Sequence, residues 1–211
     1  MKATKQLPAH YEQQERLDFS LDQPSERFRQ DSPLLLMLNM AGLLLFVLFC
    51  YLFRLASTWL RSPNEPLFSF TLSLTSGLLW LLTILACFVA VITLHELVHG
   101  LFFWLFTKEK PHFGFKIAYA YAAAPKWYIP RNQFIIIGAA PLVILTLAGV
   151  ALIPTVPNWL LPGLLFSLAF NASGAVGDLY IIWWLLRKPS NVLVQDVGDA
   201  FTIYGYRPPP R

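Results

Sequence analysis

The sequence predicts an all-α integral membrane protein with about four transmembrane helices and a short β-hairpin-like segment between the second and the third. Of the 211 residues, 56% are hydrophobic and only 13% charged, where an ordinary soluble domain carries about 25% charged residues. The charges are also unevenly spread. Long stretches contain no Lys, Arg, Asp or Glu, and hydrocarbon favours uninterrupted apolar helices, whose backbone groups are satisfied internally. The net charge of +4 is read through its placement and not as a sign of nucleic-acid binding; the expected surroundings are a lipid bilayer. Cys50 and Cys87 both lie in apolar runs, which argues against a disulfide framework and against a cysteine zinc site. No apolar signal segment follows directly on a basic start, so no cleavage is expected.

Taken in order, residues 1–33 read as a polar tail, rich in Gln, Glu, Asp and Arg and closed by Asp31-Ser32-Pro33. The membrane domain covers 34–189. Its first span is about 34–53, stopped by Arg54, and a loop with Arg61, Pro63, Asn64, Glu65 and Pro66 follows. The second, about 72–106, has Glu96 as its one formal charge. At about 1.5 Å per residue it exceeds a core of about 30 Å, so it tilts or starts at the interface. Residues 107–133 carry Lys108, Lys110, Lys116, Lys126 and Arg131, and within them 113–121 alternates aromatic and small residues like a strand. The third span is about 134–153. The fourth is about 159–186, ended by Arg187-Lys188-Pro189, and 190–211 form a second polar tail.

Positive charge orients these spans. The five segments outside them carry, in order, five, two, five, none and four Lys plus Arg. Alternate segments are rich, so the positive-inside rule places both termini and 107–133 in the cytoplasm of a multi-pass cell-membrane protein.

Spans two to four contain only two carboxylates, Glu96 and Asp178, and span one contains none. An ionisable group at mid-bilayer costs about 2.5–3.5 kcal/mol on insertion scales, so it normally has a partner and a purpose. Glu96 lies between His95 and His99. Histidines at i and i+4 sit about 40° apart around a helix, and both imidazoles can reach one cation. Glu96, on the adjacent face, suits the general-base role of H-E-x-x-H metallopeptidases. A catalytic zinc takes three protein ligands and keeps a position open. His99 lies about 12 Å from the end of its span and Asp178 about 13.5 Å from the same side, on spans of the same direction, so Asp178 is the candidate third ligand. Helix packing, or pairing with Arg187, is its alternative role.

The run Asn171-Ala172-Ser173-Gly174-Ala175-Val176-Gly177 before Asp178 is small enough to let two membrane helices approach. Asn171 could hydrogen-bond a substrate backbone, orient the site, or join helices. Gly138-Ala139-Ala140-Pro141 is read as thinning and kinking the third span, for packing or to shape a wall of the site. His112 reads as an interfacial loop residue, and His10 suggests nothing.

Together, the H-E-x-x-H, the strand-like segment, the Gly-x-x-Pro element and the final span with Asn and Asp resemble the site-2 protease type of intramembrane zinc metallopeptidase, over residues 72–186. Within that group the chain looks most like a family of uncharacterised membrane zincin peptidases. That family's H-E-x-x-H-G is similar to His95–Gly100, its Gly-Asp to Gly177-Asp178, and its closing segment to Asp199-Ala200-Phe201-Thr202-Ile203-Tyr204. The resemblance implies Zn(2+) held by His95, His99 and Asp178, with Glu96 as general base and a membrane protein as substrate. Site-2 proteases usually end a Pro-containing Asn stretch in Asp-Gly; here the order is Gly-Asp and the prolines are absent. A catalytically inactive zinc-binding adaptor and a metal or solute transporter are the competing readings.

Overall fold

A computed structural model of the chain describes residues 1–18, 25–61, 74–115, 120–198 and 200–208. The loop expected around Pro63–Pro66, the middle of the alternating 113–121 segment and Asp199 lie outside the described residues. The elements run β1 Tyr11–Asp18, α1 Ser25–Leu60, α2 Leu74–Thr107, β2 His112–Phe115, β3 Ala120–Ala123, β4 Ile129–Pro130, α3 Arg131–Leu152, α4 Leu161–Gly174, α5 Val176–Leu186, β5 Leu193–Asp196 and β6 Ala200–Tyr206. Among the described residues, four helical stretches are long and apolar enough to cross a membrane: Leu36–Leu60, Leu74–Thr107, Arg131–Leu152 and Leu161–Leu186. The chain is a mostly helical, multi-pass membrane protein with a few small strands.

The helices show their solvent by what they leave uncovered. Only 6% of the most apolar window of α2 is buried within the protein. Leu78, Leu81, Leu85, Val89 and Leu94 stand exposed along it, a surface that is stable against lipid and not against water. At its end Lys108 takes left-handed backbone, with φ 58, and its N–H donates to the Trp104 carbonyl at 2.7 Å. The Lys108 ammonium lies 5.2 Å from the Trp104 ring centre, and at the end of α5 the Arg187 guanidinium lies 3.6 Å from that of Trp183. Aromatic–cation pairs of this kind favour the edge of the hydrocarbon layer.

The chain forms two compact units: residues 1–37, 96–140 and 177–211, and residues 38–95 and 141–176. In the first, an antiparallel sheet of order β1-β6-β5-β4 shares a core with helices. Phe103, Phe134, Ile137, Leu185, Val194 and Ile203 meet there, with Ile203 and Val194 completely buried. β1 pairs with β6 from Tyr11↔Tyr206 to Asp18↔Ala200, reinforced by Glu12–Arg207, and Glu15 of β1 also pairs with Lys188 just beyond α5. Thr4 and Tyr128 exchange backbone hydrogen bonds at 3.0 and 2.8 Å. Residues 1–33 and 190–211, read from sequence only as polar tails, thus supply three of the four strands. β1 escapes a sequence reading because Tyr-Glu-Gln-Gln-Glu-Arg-Leu-Asp has no buried face; the backbone ladder holds it.

The β2–β3 hairpin runs from His112↔Ala123 to Phe115↔Ala120. The Tyr121 ring lies against two glycines. A Cβ at Gly114 would sit 2.3 Å from its Cζ, and one at Gly198 only 2.4 Å from its Cε2. Gly198 also has φ 98, so sterics and backbone both demand glycine there. Its N–H donates to Asp196 Oδ1 at 2.7 Å.

In the second unit Phe53, Ile153, Leu161, Leu165, Leu168 and Ala169 form the core. Phe46 stacks edge-on against Phe166 at 5.4 Å. A Cβ at Gly149 would meet Leu168 at 2.2 Å, and one at Gly163 would meet Cys87 Sγ at 2.9 Å, so these glycines set the helix contacts. The small run before Asp178 acts differently from expectation. Nothing lies within 4 Å of a Cβ on Gly174 or Gly177; Ala172 and Ala175, completely buried, are its packed members. Nor do Asp31-Ser32-Pro33 and Arg54 bound the first helix. α1 begins at Ser25, contains Pro33, and continues past Arg54, whose guanidinium donates to Ser57 Oγ at 3.3 Å.

Two stability outcomes follow from the turn between β5 and β6. Gly198→Ala should lose about 1–3 kcal/mol through its positive φ and the Tyr121 clash, read as a lower melting temperature in detergent. Burial pushes the Asp196 carboxyl up to about 7 from its ordinary 3.8. The folded chain therefore binds that proton more tightly than the unfolded chain does, and stability falls as pH rises from about 4 to about 7. Asp196→Asn should flatten this fall, measured by thermal unfolding between about pH 4 and 8.

Candidate metal centre

α2 carries His95 and His99 on one face of an unbroken helix and Glu96 on the adjacent face. Helical geometry sets the spacing of the two histidines, four residues apart on α2. Both are buried, at 9% and 8% exposure. Asp178 enters from α5. The last span is interrupted at Ala175, with φ −70 and ψ 2, and α5 restarts at Val176 with Asp178 in its first turn. That place suits a carboxylate, because a helix N-terminus carries partial positive charge. Gly138 of α3 lets α5 come close: its Cβ would lie 3.3 Å from Ile182, one turn beyond Asp178.

Among the described residues, His95, His99 and Asp178 each offer a ligand atom, and these atoms all lie within 4.8 Å of one another. His99 Nε2 stands 3.4 Å from Asp178 Oδ1. Tetrahedral zinc, with bonds of about 2.0–2.2 Å to nitrogen and oxygen, sets neighbouring ligand atoms about 3.3–3.5 Å apart. Two imidazoles and a carboxylate are a zinc-type donor set, one short of four, which leaves a position open. The group could hold a metal ion, and the residues present fit zinc.

Each histidine is held by its other nitrogen. His99 Nδ1–H donates to the Ile137 carbonyl at 3.0 Å, and His95 Nδ1–H donates to Asn171 Oδ1, also at 3.0 Å. Because both acceptors are oxygens, both rings carry the proton on Nδ1 and turn Nε2 toward the centre. Second-partner contacts of this type raise the basicity of a ligand and fix its orientation. The Asn171 amide further donates through Nδ2 to the Pro141 carbonyl at 3.4 Å. Of the roles open to Asn171 on sequence, these contacts fit orienting the site and joining helices.

The hairpin reaches the same helix. A Cβ at Gly100 would lie 2.4 Å from Phe113 Cζ and 3.2 Å from Pro111 Cγ, so the Phe113 ring rests on the α2 backbone directly after His99. Gly100 is four residues beyond Glu96, hence on the same face and one turn away. Glu96 itself is partly exposed. His112 opens β2 and is exposed; His10 sits in a turn with φ 69. Neither joins the centre. The Ile137 carbonyl was not found from sequence, because any residue type supplies one.

A family of sequences described as "Putative zincin peptidase" matches residues 88–193, half of the chain and all of the residues just grouped, and the chain belongs to that family. No curated protein and no solved structure matches the chain. The family's description implies a zinc-dependent metallopeptidase.

Asn171→Ala should leave all three candidate ligands in place yet weaken zinc binding by about 10–100-fold, the usual effect of losing such a partner. Competition with a chromophoric chelator measures it.

Proposed function

We propose that this member of the zincin peptidase family is an intramembrane zinc metallopeptidase of the site-2 protease type, hydrolysing peptide bonds of membrane-anchored proteins near the cytoplasmic side. The observation that carries the reading is the grouping of His95, His99 and Asp178 beside Glu96, on helices apolar enough to lie in a bilayer. His95, His99 and Asp178 would hold the metal. Bound there, zinc supplies Lewis-acid chemistry, acidifying water and polarising a peptide carbonyl. Glu96, on the adjacent face of α2, takes the proton of the attacking water and returns it to the leaving amine. His95 and His99, held through Nδ1, keep their orientation while this proton moves.

A transmembrane helix hides its carbonyls in its own hydrogen bonds, so a substrate must unwind locally. The β2–β3 sheet has only two strands among the described residues, and an extended chain can add to its edge. Phe113, seated on Gly100 beside the Glu96 face, and Phe115 present exposed apolar surface there. Water enters from the cytoplasmic side, where positive charge places both termini. An inactive zinc-binding adaptor shares every feature except turnover.

Glu96→Gln separates these readings. Zinc content should stay at about one per chain while cleavage falls by about 10²–10⁴-fold, as for loss of a general base. Comparing the membrane proteomes of wild-type and Glu96→Gln cells should reveal an accumulated membrane-anchored substrate. Unchanged cleavage of that substrate by the variant, or no accumulation at all, sinks the peptidase reading.

A further inference from the structure

Pro141 lies well inside α3, which runs unbroken from Arg131 to Leu152. A proline there has no N–H for the carbonyl four residues earlier, and its ring pushes that carbonyl away from the helix axis. In a bilayer the freed group must find another donor, because no water is at hand. Four residues before Pro141 is Ile137, almost completely buried. Its carbonyl is the group that stands 3.0 Å from His99 Nδ1. Pro141 also acts through its own carbonyl, which accepts from Asn171 Nδ2 at 3.4 Å, while Asn171 Oδ1 receives the His95 Nδ1 proton at 3.0 Å. Both histidines thus trace back, by hydrogen bonds, to one backbone irregularity.

We propose that Pro141 is a positioning residue of the metal centre. By withholding an N–H it leaves the Ile137 carbonyl to orient His99, and by its own carbonyl it steadies the amide that orients His95. This rests on the metal-binding part of the proposed function and is independent of peptide hydrolysis. The alternative is packing alone: Pro141 is fully buried, and a rigid ring fills space in α3.

Pro141→Ala distinguishes the two because their signs differ. Alanine restores the N–H, so α3 can close its own bond to Ile137 and the metal-free protein should melt no lower than wild type. The Ile137 carbonyl is then drawn back toward the α3 axis and no longer orients His99 as before. Zinc affinity of the full-length protein in detergent, by chelator competition, should drop about 10–100-fold. The visible absorption of the cobalt(II)-substituted protein should also change in position or intensity, reporting altered ligand orientation. A variant that binds zinc with wild-type affinity and shows the wild-type cobalt spectrum overturns the proposal and leaves packing as the role of Pro141. Should the metal-free variant melt lower, the cobalt spectrum taken well below its melting temperature decides: a changed ligand field supports positioning, and an unchanged one overturns it. Failure of the wild type to bind zinc would end the metal reading itself, and this inference with it.

Discussion

Hydrocarbon offers no partner to a polar group, and the structure around His95, Glu96, His99 and Asp178 follows from that constraint. A carboxylate or imidazole placed there must be matched from within the protein or by a bound ion. Each histidine has one nitrogen matched by protein, through Ile137 and Asn171. The other nitrogens and Asp178 converge within 4.8 Å. Two imidazoles and a carboxylate that converge in this way could hold a metal ion, and the donor set fits zinc.

The surrounding elements serve this placement by simple means. Small residues and irregular backbone appear where side chains must meet. Gly138 admits α5 beside α3, a break at Ala175 restarts the helix just before Asp178, and Gly100 admits Phe113 onto α2. Pro141 gives up one helical hydrogen bond, and the carbonyl it frees is reused. A regular α3 without Pro141 would draw the Ile137 carbonyl into its own helical hydrogen bond.

The sheet beyond the spans extends the same logic to the aqueous side. β5 and β6 pack Val194 and Ile203 into the core that also holds Ile137 of α3 and Leu185 of α5. The segments before and after the spans thereby brace the helices that carry Asp178 and the His99 acceptor. Tyr121, wedged against Gly114 and Gly198, ties the hairpin to the turn of that sheet.

How much of this was legible beforehand depends on the kind of interaction. Membrane spans are visible because hydrophobicity is additive along the chain, and His95, Glu96 and His99 are visible because one helical turn is a local rule. Asp178 could be nominated by depth, since rise per residue turns sequence distance into position along a straight span. Strand β1 was not legible, because ladder hydrogen bonds to β6 need no pattern of side chains. Nor was the hold on the two imidazoles. Backbone carbonyls have no sequence signature, and Pro141 announced only that a helical bond would be missing. Which group took up the freed carbonyl was decided by the packing of α2 against α3 at Ile137. By itself the sequence determined a membrane protein with a histidine–carboxylate cluster poised for a metal; the tertiary structure decided which nitrogen each histidine turns inward, because that choice rests on partners thirty or more residues away.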